Sequence, residues 1–248
     1  MKKFTKLAVF FFAILAVFLT YKVFSKETNK LSYIALGDSV AAGRDSYGVE
    51  GYGYTDYIKD YLDDKGRLSF YTKAFTKSGY TTDDIIEEIE GNYTTKVDNK
   101  TIYLKEALRE SDLVTLQIGA NNFIHGVSLT NLEEKLNNIP ELKKDADEII
   151  LEVEKVIVLV KKYAKEQIIV IGYYNPLPRF TTYKKEIDEV VKYFNNELEE
   201  LCEEYNVDYV DIFDIFDNNE ELLPNPFDIH PNVKGYETIA NKLIKYIE

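Results

Sequence analysis

Five short apolar runs punctuate the chain, at residues 31–36, 67–75, 112–118, 167–172 and 207–212. Between them, apolar residues recur every three or four positions, which is helical spacing. Tyr54, Tyr57, Ile58, Tyr61 and Leu62 make one such stripe, closed by Gly66. Ile85, Ile86 and Ile89 make another, with Thr81 or Thr82 as N-cap, acidic residues in the first turn and Gly91 at its end. Residues 101–109 predict a short helix. Residues 146–164 predict a long one, whose β-branched stretch at Val156 to Val160 is flanked by too many charges for a strand. Residues 184–205 and 233–247 complete the set, with one helical turn at 218–223. Residues 123–142 contain Gly126 and Pro140 and read as an irregular flap with an apolar start, Phe123 and Ile124. Strands alternating with helices predict an α/β domain: a parallel five-stranded sheet covered by helices on both faces.

The amino-terminal segment has a different pattern. Lys2, Lys3 and Lys6 precede an unbroken apolar run from Leu7 to Leu19, and Val23 and Phe24 resume it after Thr20-Tyr21-Lys22. A basic flank followed by an apolar run reads as an export signal. The unbroken part is too short for a bilayer core of about 30 Å, and the longer stretch just spans it with Lys22 snorkelling. Val23-Phe24-Ser25 is a mediocre cleavage site and no Ala-x-Ala is present, which favours an uncleaved signal-anchor over a cleaved signal peptide. No cysteine follows the run, so a lipoprotein anchor is excluded. Residues 1–30 are therefore expected to be a signal or anchor segment with its linker, and residues 31–248 a single domain that faces outward.

Composition narrows the chemistry. The 248 residues carry a formal net charge of -13 without a dense Lys/Arg cluster, which argues against a nucleic-acid partner. Cys202 is the single cysteine and lies on the stripe of the helix at 184–205, so it reads as a core residue. Two separated histidines and one cysteine argue against a metal site, and no cofactor is expected.

Polar residues stand at the ends of the runs, where open parallel sheets bind ligands. The first run stops at Gly37-Asp38-Ser39. A serine there is a nucleophile only if a base reaches it and donors stabilise an oxyanion. The second run leads to Gly79, in a turn before a helix. The third ends in Gly119-Ala120-Asn121-Asn122, and Asn121 also suits an ordinary turn. Of the two histidines, His230 follows the fifth run and precedes the closing helix. His125 lies in the flap, a poor platform for a base.

Gly37-Asp38-Ser39-Val40, Gly79, Gly119-Ala120-Asn121-Asn122 and His230-Pro231-Asn232 occur in the order and spacing of the GDSL, or SGNH, hydrolases. From about residue 31 onward the chain resembles that family. The resemblance implies a flavodoxin-like three-layer α/β/α sandwich, the SGNH hydrolase fold. It implies Ser39 as nucleophile, His230 as general base, and an oxyanion hole formed by the backbone N–H groups of Ser39 and Gly79 with the Asn121 side-chain amide. It departs at Val40, where the family has Leu, and at Asn122, where it has Asp. The family's acid lies three residues before the histidine; that position is Phe227 here, while Asp228 lies two before. Either Asp228 orients His230 through a shifted loop, or a backbone carbonyl serves a Ser–His dyad. Asp38 is expected to fix the turn, and Phe123, Tyr174 and Asn175 to border the substrate. The expected activity is hydrolysis of acyl esters by a serine esterase or lipase. A deacylase of acetylated cell-wall or other glycans and a non-catalytic envelope protein that keeps the fold are the alternatives.

Overall fold

The computed structural model describes residues 30–125, 132–217 and 219–247. The amino-terminal segment read above as a signal or anchor lies outside the described residues. In chain order the elements are β1 (Leu31–Gly37), α1 (Ser39–Ala42), α2 (Tyr54–Asp64), β2 (Leu68–Thr76), α3 (Thr82–Glu90), β3 (Thr94–Val97), β4 (Lys100–Tyr103), α4 (Leu104–Arg109), β5 (Leu113–Gln117), α5 (Ala120–His125), α6 (Leu132–Leu136), α7 (Ile139–Tyr163), β6 (Gln167–Ile171), α8 (Lys184–Tyr205), β7 (Asp208–Val210), α9 (Phe213–Phe216) and α10 (Val233–Ile247). Single 3-10 turns stand at Thr181–Tyr183 and Glu220–Leu222. Among the described residues, no helix is long and apolar enough to cross a membrane.

The five predicted strands form one sheet in the order β2-β1-β5-β6-β7, with every neighbouring pair parallel. Alternate residues feed two cores, because successive side chains of a strand point to opposite faces. Ile34, Leu36, Val114, Leu116, Ile168 and Val170 pack on one side with Ile85 and Ile89 of α3, Val153 and Ile157 of α7 and Leu198 of α8. Tyr33, Ala35, Leu113, Ile169, Ile171 and Val210 pack on the other with Ile58 and Leu62 of α2 and Tyr236, Ile239 and Leu243 of α10. Strand β5 is buried along its whole length, as a central parallel strand covered on both faces must be.

The helix stripes follow the spacing. On α7, Ala146, Ile149, Val153, Val156, Ile157 and Val160 are buried, while Leu151 and Val158 face solvent. Thr81 caps α3 with its backbone N–H donating to the Asp84 carboxylate.

Two expectations are corrected. Residues 100–103 are strand β4, and the helix predicted from residue 101 begins at Leu104. Strands β3 and β4 form an antiparallel hairpin whose two turn residues, Asp98 and Asn99, both have left-handed backbone, φ +49° and +63°. A two-residue turn of that hand matches strand twist, and Asp and Asn tolerate it. The described parts of residues 123–142 are helical except for the turn at Asn137 and Asn138. α5 runs through His125, α6 spans Leu132–Leu136, and α7 starts at Ile139, with Pro140 in the first turn where its missing N–H breaks no bond.

In a sheet of this order, β1 and β5 are neighbours whose connections leave in opposite directions. The crevice they leave at their carboxyl ends is the topological switch point. Ser39 follows β1 there, and Asn121 follows β5.

Candidate active site

β1 ends at Gly37 because nothing larger fits. A Cβ on Gly37 would lie 2.4 Å from the Gln117 carbonyl oxygen of β5, and φ is +148°. The chain then enters α1 with Asp38 as N-cap. Its Oδ1 accepts from the Val40 backbone N–H at 3.0 Å, and its own N–H donates to the Gln117 carbonyl at 3.2 Å. Asp38 thus fixes the turn, as expected. Burial pushes its carboxyl up to about 7, and the hydrogen bond from Val40 pulls the other way. Ser39 is the first residue of α1, where a backbone N–H has no partner within the helix.

The Ser39 hydroxyl donates to His230 Nε2 across 2.7 Å, although the two residues are 191 positions apart. His230 Nδ1 lies 2.6 Å from Asp228 Oδ1. A carboxylate only accepts, so Nδ1 carries the hydrogen and Nε2 is left as an acceptor facing the serine. The same Asp228 oxygen also accepts the His230 backbone N–H at 2.8 Å. The shifted acid therefore reaches the imidazole, and the dyad alternative does not describe this geometry. Phe227, at the position where the family has its acid, is 94% exposed.

Neighbouring contacts hold this loop. Asn225 Nδ2 donates to the Ser46 carbonyl at 2.9 Å, and the Tyr174 hydroxyl to the Ile229 carbonyl at 2.8 Å. Asn232 Oδ1 accepts from Gly235 N at 2.9 Å, which caps α10. His230 is buried, and burial lowers its pKa below the ordinary imidazole value; the hydrogen bond and charge of Asp228 oppose this. His125 is exposed at the end of α5.

Gly79 and Asn121 meet at the rim. Gly79 has φ +86° and nothing within 4 Å of a would-be Cβ, so glycine is there for its backbone angle and not for space. Asn121 Nδ2 donates one hydrogen to the Tyr80 carbonyl at 2.8 Å, beside Gly79, which leaves the other for a ligand. Asn122 ties the same two loops together. Its Oδ1 accepts the Thr82 N–H at 3.1 Å, and its Nδ2 donates to the Thr82 hydroxyl and to Glu152 Oε2, each at 2.6 Å. An amide at this position needs an acceptor that a carboxylate would not, and Glu152 of α7 supplies it.

A cleft of about 130 Å³ opens beside Ser39, and Phe123 and Tyr174 line it as expected. Asn175 does not. Its amide donates to Asp188 Oδ1 at 2.6 Å and its carbonyl accepts from Leu177 N at 2.8 Å, so it braces the loop after β6. The cleft is also lined by Val190, Val191 and Phe194 of α8. In the sequence these residues belong only to the helix predicted at 184–205.

Comparison with known proteins agrees with this geometry. The GDSL-like Lipase/Acylhydrolase family matches residues 35–238. The chain belongs to that family. It is a serine ester hydrolase with the α/β sandwich expected from the sequence. It is 21% identical over 217 residues to the spore germination lipase LipC of Bacillus licheniformis, covering 86% of this chain and 94% of that one. Among solved structures it is similar to the lipase Lip_vut3 from a goat rumen metagenome (19% identity, 87% of this chain and 97% of that chain, TM-score 0.68). It is also similar to Axe2, an acetylxylan esterase from Geobacillus stearothermophilus (18%, 88% and 94%, TM-score 0.60).

Proposed function

We propose that the chain hydrolyses acyl esters through an acyl intermediate on Ser39. His230 Nε2 takes the hydroxyl proton as the Ser39 oxygen attacks the ester carbonyl, then returns it to the departing alkoxide. In the second half a water gives a proton to His230 as its oxygen attacks the acyl carbon, and the departing Ser39 oxygen takes that proton back from His230. Asp228 holds the imidazole in the tautomer this requires and stabilises the imidazolium that forms. The N–H groups of Ser39 and Gly79 and the Asn121 amide are the oxyanion donors. The unbroken Ser39–His230–Asp228 hydrogen-bond chain carries this reading, and its placement at the switch point supports it. The test is a fluorophosphonate probe together with a short p-nitrophenyl ester. The wild-type chain is labelled at Ser39 and turns the ester over, and Ser39→Ala does neither while keeping its melting temperature. Equal turnover by Ser39→Ala ends the proposal.

We also propose that the domain works outside the cytoplasm, tethered to the membrane by residues 1–30. The support is the basic flank and the apolar run from Leu7 to Leu19. Expression of the full chain with a carboxyl-terminal tag tests it. Recovery in washed membranes, with the tag accessible to protease on intact spheroplasts, is expected. Recovery in the cytosol refutes it.

A further inference from the structure

We infer that the cleft beside Ser39 is an acyl-chain pocket built for a medium-length hydrocarbon of about six carbons. The favoured substrates are then medium-chain fatty acyl esters, not acetyl esters. This rests on Ser39 being the acylated residue.

The cleft starts at Ser39 and Asn121, where an acyl carbonyl would sit, and runs between α5 and α8. Its walls there are Phe123 and Ile124 from α5 and Val190, Val191 and Phe194 from α8. Among the described residues of the lining, Asp38 is the only charged one, and it is already engaged as the α1 cap. A surface of this kind offers little to a hydroxyl or a carboxylate, and a polar group left unpaired there is disfavoured. A methylene gains from it, because apolar area leaves water.

Size sets the length. The cleft holds about 130 Å³. An apolar cavity of about 150 Å³ accommodates benzene, a six-carbon molecule. An acetyl methyl would leave most of this wall facing water. At Gly119 the wall is closed, because an added Cβ would meet Val153 at 3.2 Å and Ile149 at 3.4 Å. The limit on chain length comes from the volume.

The experiment is a p-nitrophenyl ester series from acetate to laurate on the full chain, run beside fluorophosphonate labelling and acetate release from acetylated xylan. The expected kcat/KM rises by roughly fourfold for each methylene up to hexanoate, then levels or falls. Val191 is a half-buried wall residue, and Val191→Trp should lower the hexanoate-to-acetate ratio at least roughly tenfold by filling the pocket. Ile124 is exposed at the end of α5, so Ile124→Ser leaves the fold intact; it should lower the ratio about threefold by removing apolar wall. A flat series, a preference for acetate or acetylated xylan, or a ratio unmoved by both variants overturns the pocket. With Ser39 still labelled, such a result leaves the hydrolytic reading standing. Absence of both labelling and turnover removes both.

Discussion

Asp228 Oδ1 accepts two hydrogen bonds from one residue, the backbone N–H of His230 at 2.8 Å and its ring Nδ1–H at 2.6 Å. A carboxylate two positions before a histidine forms a small ring with the backbone, and this aims its oxygen at the imidazole. The acid and the base are thus oriented by one local turn, itself pinned at Asn225 to the Ser46 carbonyl. Asp228→Ala should lower kcat by about 10²- to 10⁴-fold, because the tautomer and the ring orientation are both released. Phe227→Ala should leave it within about twofold, since that side chain points into solvent. Steady-state kinetics on the two variants, with circular dichroism to confirm folding, checks the pair.

The acid side of the pH profile follows from His230. Nε2 accepts the serine proton only when the ring is neutral. Burial holds the folded pKa below the unperturbed value near 6.5, so kcat/KM should fall with a midpoint below that value. Asp228 pulls the pKa upward, so the Asp228→Ala midpoint should lie lower still, although its plateau is reduced. The stability contribution has a matching sign. An unfolded chain binds the His230 proton more readily than the folded one, so this contribution is lost as pH falls below about 6.5. Rate profiles and urea titrations between pH 4 and pH 8 measure both.

Asn122 sits 2.6 Å from Glu152 through its amide nitrogen. Restoring the family's acid with Asn122→Asp would set two carboxylates at that distance and replace a donor by a repelling acceptor. We expect a loss of roughly tenfold in kcat and about 1–3 kcal/mol in stability, since the loops bearing Gly79 and Asn121 lose their tie. The double variant Asn122→Asp/Glu152→Gln should recover most of both. If the double variant is no better than the single one, the two side chains are not coupled.

The two glycines of the site should respond differently to alanine. Gly37→Ala drives a Cβ into backbone at 2.4 Å, and little folded protein is expected. Gly79→Ala meets no atom within 4 Å and costs only the left-handed strain, about 1–2 kcal/mol. It should fold with a slightly lower melting temperature. Its kcat should drop by about tenfold or more, because relief of that strain shifts the N–H that the proposed mechanism aims at the oxyanion. Thermal melts and single-ester kinetics on both variants separate them.

Much of this was legible in the sequence because the chain announces its strands with apolar runs and ends them with polar chemistry. Ser39 and Asn121 stand at the ends of such runs and His230 was one of two histidines, while the oxyanion roles of Gly79 and Asn121 came only with the resemblance to the GDSL hydrolases. The hairpin β3–β4 was missed because its strands are largely exposed and its turn, Asp98-Asn99, lacks a glycine. Asn175 was misplaced because its partner, Asp188, lies on a helix that the local pattern cannot bring near. Val190, Val191 and Phe194 lie in the helix predicted at 184–205 and carried no site signal of their own. Helical spacing reports which side chains face inward, and not which of them face an unfilled space.

The nucleophile lies at the front of the domain and its base just ahead of the final helix. Where the carboxyl-terminal segment meets α1, the Tyr236 hydroxyl holds the Arg44 carbonyl at 2.5 Å. Tyr236, Ile239 and Leu243 of that helix also close one face of the sheet, so loosening the last stretch would withdraw the imidazole and open the core together. Turnover and helical signal should therefore fade in step when the tail comes unseated.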